Sequence, residues 1–266
     1  MNVRSLFGAA LSAAALMHSA CAAEAPAAPS KPLRFILVGD STMANTTGYG
    51  DALCARIVRS DTCLNLAKGG RSSGSYRAEG RWDEVEGLLR GHAAYRATYV
   101  LIQFGHNDQP GKPGRSTDLA TEFPANMARY VQEVKALGGI PVLVTPLTRR
   151  TFKDGVVENS LNAWADVVRA TATAQHTALL DLNAESYAAV QAMGQDEADS
   201  LAMAPRPANY DAPAIGKVEA AGAVKTTFDR THLGAKGSAL FSGMVEQELK
   251  HALPETVSHF RSEEKQ

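Results

Sequence analysis

The sequence predicts a doubly wound α/β sandwich on a parallel sheet of five strands. Five apolar runs rich in β-branched residues recur along it at similar intervals. They are continuous rather than alternating, as strands covered on both faces are. Helical patterns fill the gaps between them, with no internal repeat and no break in composition, which argues for a single layered domain.

Taken in order, the strands are expected at residues 35–38, 62–66, 98–104, 140–145 and 178–182. Helices are expected at 49–58, 82–92, 120–137 and 160–175, the third stopped by Gly138-Gly139, and a last amphipathic helix at 235–249. The stretch 195–228, rich in Ala, Pro and Gly, is too polar for a core element and too long for an ordinary connection. It reads as a long surface excursion before the last helix. Sheets of this kind gather ligands at the carboxyl ends of their strands.

The chain has 266 residues, with 27 Lys+Arg against 28 Asp+Glu and a net charge of −1; 45% of it is hydrophobic and 21% charged. That composition excludes disordered and disulfide-dense classes. No long basic run is present, so no nucleic-acid partner is expected. Arg4 is the only charge before Glu24, residues 6–17 are apolar, and small residues occupy most of 19–23. This is the pattern of a secretory signal over residues 1–23, too short to span a bilayer. A lipid-attachment motif ending at Cys21 would want an aliphatic residue where His18 stands. A short leader is expected at 24–32, the domain at 33–253 and a polar tail at 254–266. The protein is expected to be exported, periplasmic or extracellular, without a membrane partner, and monomeric.

Export bears on the cysteines. Cys54 and Cys63 remain after cleavage, nine positions apart. In an oxidising compartment a structural bridge is favoured over two free buried thiols. No Cys/His cluster has zinc spacing, and neither a metal nor a cofactor is expected.

Four polar segments follow strands or close the chain: Gly39-Asp40-Ser41-Thr42, Asn65 to Ser73, Gln103 to Asp108, and Asp229-Arg230-Thr231-His232. Together they hold what a serine esterase needs. A hydroxyl attacks the carbonyl, an imidazole takes its proton, and a carboxylate orients the ring. Ser41 is the expected nucleophile, His232 the base and Asp229 its orienting acid. The backbone N–H groups of Ser41 and Gly70, with the Asn107 amide, are the expected oxyanion donors. A rival pattern, Gly70-Arg71-Ser72-Ser73-Gly74, has the Gly-x-Ser-x-Gly form of an α/β-hydrolase elbow. Only two strands precede it, and residues 75–80 do not read as the start of a buried helix, so Ser72 is set aside.

These blocks resemble those of the SGNH (GDSL) hydrolase superfamily: Gly39-Asp40-Ser41, a glycine after the second strand, Gly105-His106-Asn107-Asp108 after the third, and Asp229-Arg230-Thr231-His232. More narrowly, Asn65-x-Ala67-x-x-Gly70-Arg71-Ser72-Ser73, then Glu79-Gly80-Arg81-Trp82, then Phe104 to Gln109 resemble the rhamnogalacturonan acetylesterases. The resemblance implies a three-layer, flavodoxin-like fold, no metal, and the Ser, Gly, Asn, Asp and His roles given above. It implies removal of acetyl groups from an acetylated polysaccharide or oligosaccharide. Lipid or thioester cleavage, action on another glycan such as xylan, and a non-catalytic sugar-binding module are the alternatives.

Other polar residues are read more plainly. Asp40 and Asp108 are expected to lock loops as acceptors. His106, with no carboxylate at useful spacing but Asp108, reads as a wall residue, and His92, His176, His251 and His259 as solvated. Arg149 and Arg150, after the fourth strand, are candidates to pair with a galacturonate carboxylate. Tyr49, Tyr76 and Trp82 are candidate sugar platforms.

Overall fold

The computed structural model describes Met1 and residues 31–210 and 227–262. The expected signal beyond Met1, most of the leader and the middle of the 195–228 stretch lie outside the described residues. Seven strands and seven α-helices are described. They run β1 (Leu33–Gly39), α1 (Gly50–Arg56), β2 (Thr62–Asn65), α2 (Ser75–Ala78), α3 (Arg81–Arg90), β3 (Ala97–Gln103) and α4 (Glu122–Ala136). Then follow β4 (Ile140–Val144), β5 (Phe152–Lys153), β6 (Val156–Val157), α5 (Asn162–Ala174), β7 (Ala178–Leu180), α6 (Leu182–Asp199) and α7 (Ala235–Ala252).

Five strands form one all-parallel sheet in the order β2-β1-β3-β4-β7, the doubly wound 2-1-3-4-5 arrangement. Alternation along each strand divides the core in two. Leu33, Phe35 and Leu37 of β1, with Tyr99 and Leu101 of β3, pack on the face covered by Leu53 of α1 and Phe241, Val245 and Leu249 of α7. Ile36 and Val38, with Val100 and Ile102, face Val85 and Leu89 of α3, Met127, Val131 and Val134 of α4, and Trp164 and Val168 of α5. Both faces are sealed, which is why the strands read as continuous apolar runs.

Several expectations need correction. Residues 195–199 continue α6 beyond a break at Gly194, and Ala198, Asp199 and Leu201 are buried, so the first part of the expected surface excursion is core. Within the expected tail, residues 254–260 are packed. They form a 3-10 turn (Pro254–His259), and Phe260, buried, bridges to Ile57. His259, expected to be solvated, sits 2.5 Å from Asp61. Residues 75–78 do form a helical turn with Tyr76 buried. The hairpin β5–β6 was not anticipated, although its Asp154-Gly155 turn, both residues at positive φ, has the sequence form of a tight hairpin. Cys54 and Cys63 are joined, tying α1 to β2.

Candidate active site

The chain leaves β1 at Gly39 and turns at once. Asp40 Oδ1 accepts the Thr42 amide and hydroxyl, both at 2.9 Å, and the Asp40 carbonyl accepts the Ala44 N–H at 2.9 Å. Beneath the turn, Gln103 donates to Thr42 Oγ1 at 2.6 Å and accepts the Tyr49 hydroxyl at 2.6 Å. Ser41 O accepts from Thr47. Gly48 lies so close that a Cβ there would stand 2.3 Å from the Thr42 carbonyl, so the turn can close only on glycine. These contacts fix Ser41, which is buried except for its outward edge (8% exposed).

His232 reaches the same point from the far end of the chain. Its Nε2 lies 2.9 Å from Ser41 Oγ, and its Nδ1 lies 2.8 Å from Asp229 Oδ2. Asp229 Oδ1 accepts the N–H groups of Thr231 and His232, each at 2.7 Å. Burial pushes the Asp229 carboxyl up, but its bond to His232, the ring's charge and the two amides hold it well below the usual carboxylate range. An ionised Asp229 accepts the hydrogen bond from Nδ1–H and so fixes the tautomer in which Nε2 is free to accept from the Ser41 hydroxyl. The three expected residues therefore form one hydrogen-bonded line, 191 positions apart in sequence at its longest link.

The expected oxyanion donors are also brought together. Gly70 adopts φ +78°, which a residue with a Cβ resists, and an added Cβ on Gly69 would come 3.7 Å from Ser41 Cβ. Among the described residues, neither the Ser41 nor the Gly70 N–H has an acceptor. Asn107 gives one Nδ2 hydrogen to the Arg71 carbonyl at 3.0 Å, while its Oδ1 accepts from Arg115 at 3.4 Å. This orientation leaves the second amide hydrogen to donate elsewhere. Asp108 locks the loop from behind, taking Ser73 N–H and Oγ–H and the Thr117 hydroxyl. Its own burial raises its pKa to about 6 against those bonds.

Ser72 does not compete. It is fully buried, and its hydroxyl bonds with Ser75 rather than with an imidazole. His106 is walled in as expected, but its carboxylate neighbour is Asp40, 3.3 Å from Nδ1, and not Asp108. Burial lowers the ring's pKa against the pull of Asp40, while His106 and Thr42 hold Asp40 low against its own burial.

The expected substrate contacts divide. Tyr49, Tyr76 and Trp82 are 2% exposed or less and cannot act as sugar platforms. Tyr49 braces the nucleophile turn, Tyr76 donates to the Leu66 carbonyl, and Trp82 donates to Glu133 and packs edge-on against Tyr130. Large aromatic side chains near strand ends are as useful for filling the sandwich as for lining a cleft.

Arg150 is also fully buried and faces no cleft. Its guanidinium donates to the carbonyls of Asp229 (3.0 Å), Thr231 (3.3 Å) and His232 (2.7 Å), and its N–H donates to Arg230 O at 2.8 Å. It holds the Asp-His loop. A second tie comes from α6: buried Asp199 pairs with Arg230 and Arg206, and Gln195 bonds both Asp199 and the Arg150 carbonyl. Neither tie was read from the sequence, because nothing in a lone Arg-Arg pair or an Asp in a polar stretch says what it meets. Arg149, by contrast, is only half-buried, with Nη1 donating to Ser160 Oγ at 2.8 Å.

Among the described residues no group of three or more His, Cys, Asp or Glu could hold a metal ion, and no helix is long and apolar enough to cross a membrane.

Residues 37–240 match the GDSL-like Lipase/Acylhydrolase family. Over 180 residues the chain is 32% identical to rhamnogalacturonan acetylesterase RhgT of Bacillus subtilis, covering 64% of this chain and 74% of that one. Among solved structures it is similar to protein YxiM of Bacillus subtilis, with TM-score 0.65 at 24% identity over 87% of this chain and 59% of that chain. It is also similar to Axe2, an acetylxylan esterase of Geobacillus stearothermophilus, with TM-score 0.54 at 16% identity over 81% and 93%. The two structural likenesses concern the fold. With its sheet order, its Ser-His-Asp line and its match over most of the described domain, this chain belongs to the GDSL-like lipase/acylhydrolase family of carboxylic ester hydrolases and is related within it to rhamnogalacturonan acetylesterases.

Proposed function

We propose that this protein removes O-acetyl groups from a pectic polysaccharide of the rhamnogalacturonan type through an acyl-enzyme on Ser41. The observation that carries the reading is the line Ser41 Oγ–His232 Nε2 (2.9 Å) and His232 Nδ1–Asp229 Oδ2 (2.8 Å), set beside three unspent donors. His232 Nε2 takes the hydroxyl proton as Oγ attacks the acetyl carbonyl, and Asp229 stabilises the imidazolium that forms. The N–H groups of Ser41 and Gly70 and the Asn107 amide receive the oxyanion as it develops. The ring then returns its proton to the departing sugar oxygen. Water, activated by the same imidazole, releases acetate and frees Ser41. The substrate class is supported by the relationship to a rhamnogalacturonan acetylesterase. Export is supported by the residue 1–23 pattern and by the Cys54–Cys63 bond, which suits an oxidising compartment.

Acetate release from acetylated rhamnogalacturonan and acetylated xylan, beside nitrophenyl esters of two to twelve carbons, tests the reading. Acetate released preferentially from the pectic polymer, with nitrophenyl activity falling as the acyl chain lengthens, is the expected result. A preference for long acyl chains would make the protein a lipase or thioesterase, and no ester hydrolysis at all would leave a binding module.

A further inference from the structure

Asp40 and His106 stand immediately before two of the oxyanion donors, Ser41 and Asn107, and their side chains meet. Asp40 is fully buried and His106 is 2% exposed. Asp40 Oδ1 is satisfied by Thr42, whereas Oδ2 has no hydrogen-bond donor among the described residues. What faces it is His106 Nδ1, 3.3 Å away. The ring in turn has no other partner at either nitrogen among the described residues. The His106 carbonyl is held separately, by Lys112 Nζ.

Burial gives this contact its direction. A carboxylate taken out of water is costly unless an N–H group or a cation faces it. Although burial opposes it, the His106 ring and Thr42 hold Asp40 below the usual carboxylate range. Burial, aided by the nearby Arg149 and Lys112 cations, holds the ring below the usual imidazole range. A nitrogen turned toward a carboxylate must carry a proton, so the neutral ring keeps its proton on Nδ1 and leaves Nε2 bare. Asp229 imposes the same tautomer on His232, but here no hydroxyl waits at Nε2. The pair has no proton to pass on, and its consequence is positional.

Three loops supply the oxyanion donors, and each pair of loops has its own link. Lys68 N–H, just before the Gly69-Gly70 pair, donates to Gly39 O at 2.9 Å, and Asn107 Nδ2 donates to Arg71 O at 3.0 Å. Gln103 grips Thr42 from below. The Asp40–His106 contact closes the remaining side, between the residues next to the donors themselves. We infer that His106 is a positioning residue for the oxyanion hole, which through Asp40 sets the separation of the Ser41 N–H from the Asn107 amide. It touches no reacting atom. The inference rests on the Ser41 mechanism and holds whichever polymer carries the acetyl group.

His106→Asn keeps an N–H near the place of Nδ1, and His106→Leu removes it. Both are read by kcat and KM on nitrophenyl acetate and by the pH profile of kcat/KM. A third reading is the inhibition constant of an alkyl boronic acid, whose tetrahedral adduct on serine sets an oxygen among the oxyanion donors. In His106→Leu, kcat should fall about 10²-fold, as for a misplacement of about 1 Å, with KM held within about threefold. The boronic acid constant should rise by about the same factor as kcat falls, which a mere loss of stability would not produce. His106→Asn should stay within about fivefold of wild type in both, and the acid limb of its pH profile, set by His232, should not move. NMR of wild type with isotope-labelled histidine nitrogens should show a proton on His106 Nδ1 and none on Nε2, the signals being identified by their loss in His106→Asn. A leucine variant at wild-type kcat overturns the inference, as does a fall in kcat at an unchanged boronic acid constant. So does an asparagine variant as damaged as the leucine one, an Nδ1 without a proton, or a shifted acid limb, which would make His106 a titrating base. If the leucine variant does not fold, the asparagine variant and the nitrogen spectrum decide. A Ser41→Ala variant that still hydrolyses esters would end the Ser41 mechanism and leave the His106 spectrum as it is.

Discussion

Arg150→Met would show how tightly the catalytic loop depends on a residue that never touches substrate. The side chain is fully buried and gives three hydrogen bonds to carbonyls of Asp229, Thr231 and His232. Methionine fills similar space but leaves those three acceptors without a donor. A charged hydrogen bond contributes about 1.5–3 kcal/mol. The 3.3 Å contact counts at the low end, and relief from burying a guanidinium offsets part of the sum. Burial has already pulled that guanidinium down to about 10. A net loss of about 3–5 kcal/mol follows, in the range for breaking a buried charged network. A domain of ordinary stability holds only about 5–15 kcal/mol, so Arg150→Lys, which keeps one or two of the bonds, is the companion variant. Both are read by urea unfolding and by kcat and KM on nitrophenyl acetate. Displacing His232 by about 1 Å from Ser41 costs on the order of 10² in rate, so kcat should fall about that far in Arg150→Lys with KM little changed. Wild-type kcat in either variant would refute the clamp. A selective rise in KM for acidic polymer would restore the expectation that Arg150 reads the substrate.

Asn107→Ala removes a donor needed only as charge develops, so kcat should drop about 10²–10³-fold with KM nearly constant in steady-state kinetics. A raised KM at unchanged kcat would assign Asn107 to ground-state binding. Replacing Cys54 and Cys63 by serine opens a loop of about ten residues and should cost about 2–3 kcal/mol in denaturant unfolding; an unchanged midpoint would remove the bridge from the stability account. Asp108 has a folded-state pKa raised from 3.8 to about 6, so the folded state favours its protonated form. That contribution is present below about pH 4 and is lost as pH rises through about 6, by about 3 kcal/mol in all. The difference in unfolding free energy between wild type and Asp108→Asn should therefore shift in favour of the Asn variant between pH 4 and 6, and a pH-independent difference would contradict the assignment.

Much of the architecture was legible because the physics that forms it is local. Runs such as 98–104 must be buried on both faces to be so apolar, and the glycine pair at 138–139 stops a helix wherever it falls. The triad was legible because each member stands at a strand end or in a short fixed spacing, as Asp229 and His232 do. What escaped is decided by partners far away in sequence. Arg150 and Arg149 are neighbours of the same type, yet one is sealed under the catalytic loop and the other is half-buried against Ser160. Tyr49 follows a nucleophile turn and could face either way; its hydrogen bond to Gln103, 54 positions on, decides. Helix α6 has few large apolar residues and a break at Gly194, so its periodicity is faint, while its anchor, Asp199, is recognisable only once Arg230 is seen against it. The Asp154-Gly155 hairpin is different: its signal was in the sequence and the strands around it are merely short.

The central claim is that Ser41 carries the acyl group. The most direct measurement is covalent: reaction with a fluorophosphonate, then intact-protein and peptide mass spectrometry on wild type, Ser41→Ala and Ser72→Ala. One adduct on Ser41, formed in step with loss of esterase activity, retained in Ser72→Ala and absent from Ser41→Ala, is the predicted result. An adduct on Ser72, or a Ser41→Ala variant that still hydrolyses acetyl esters at a wild-type rate, would contradict it.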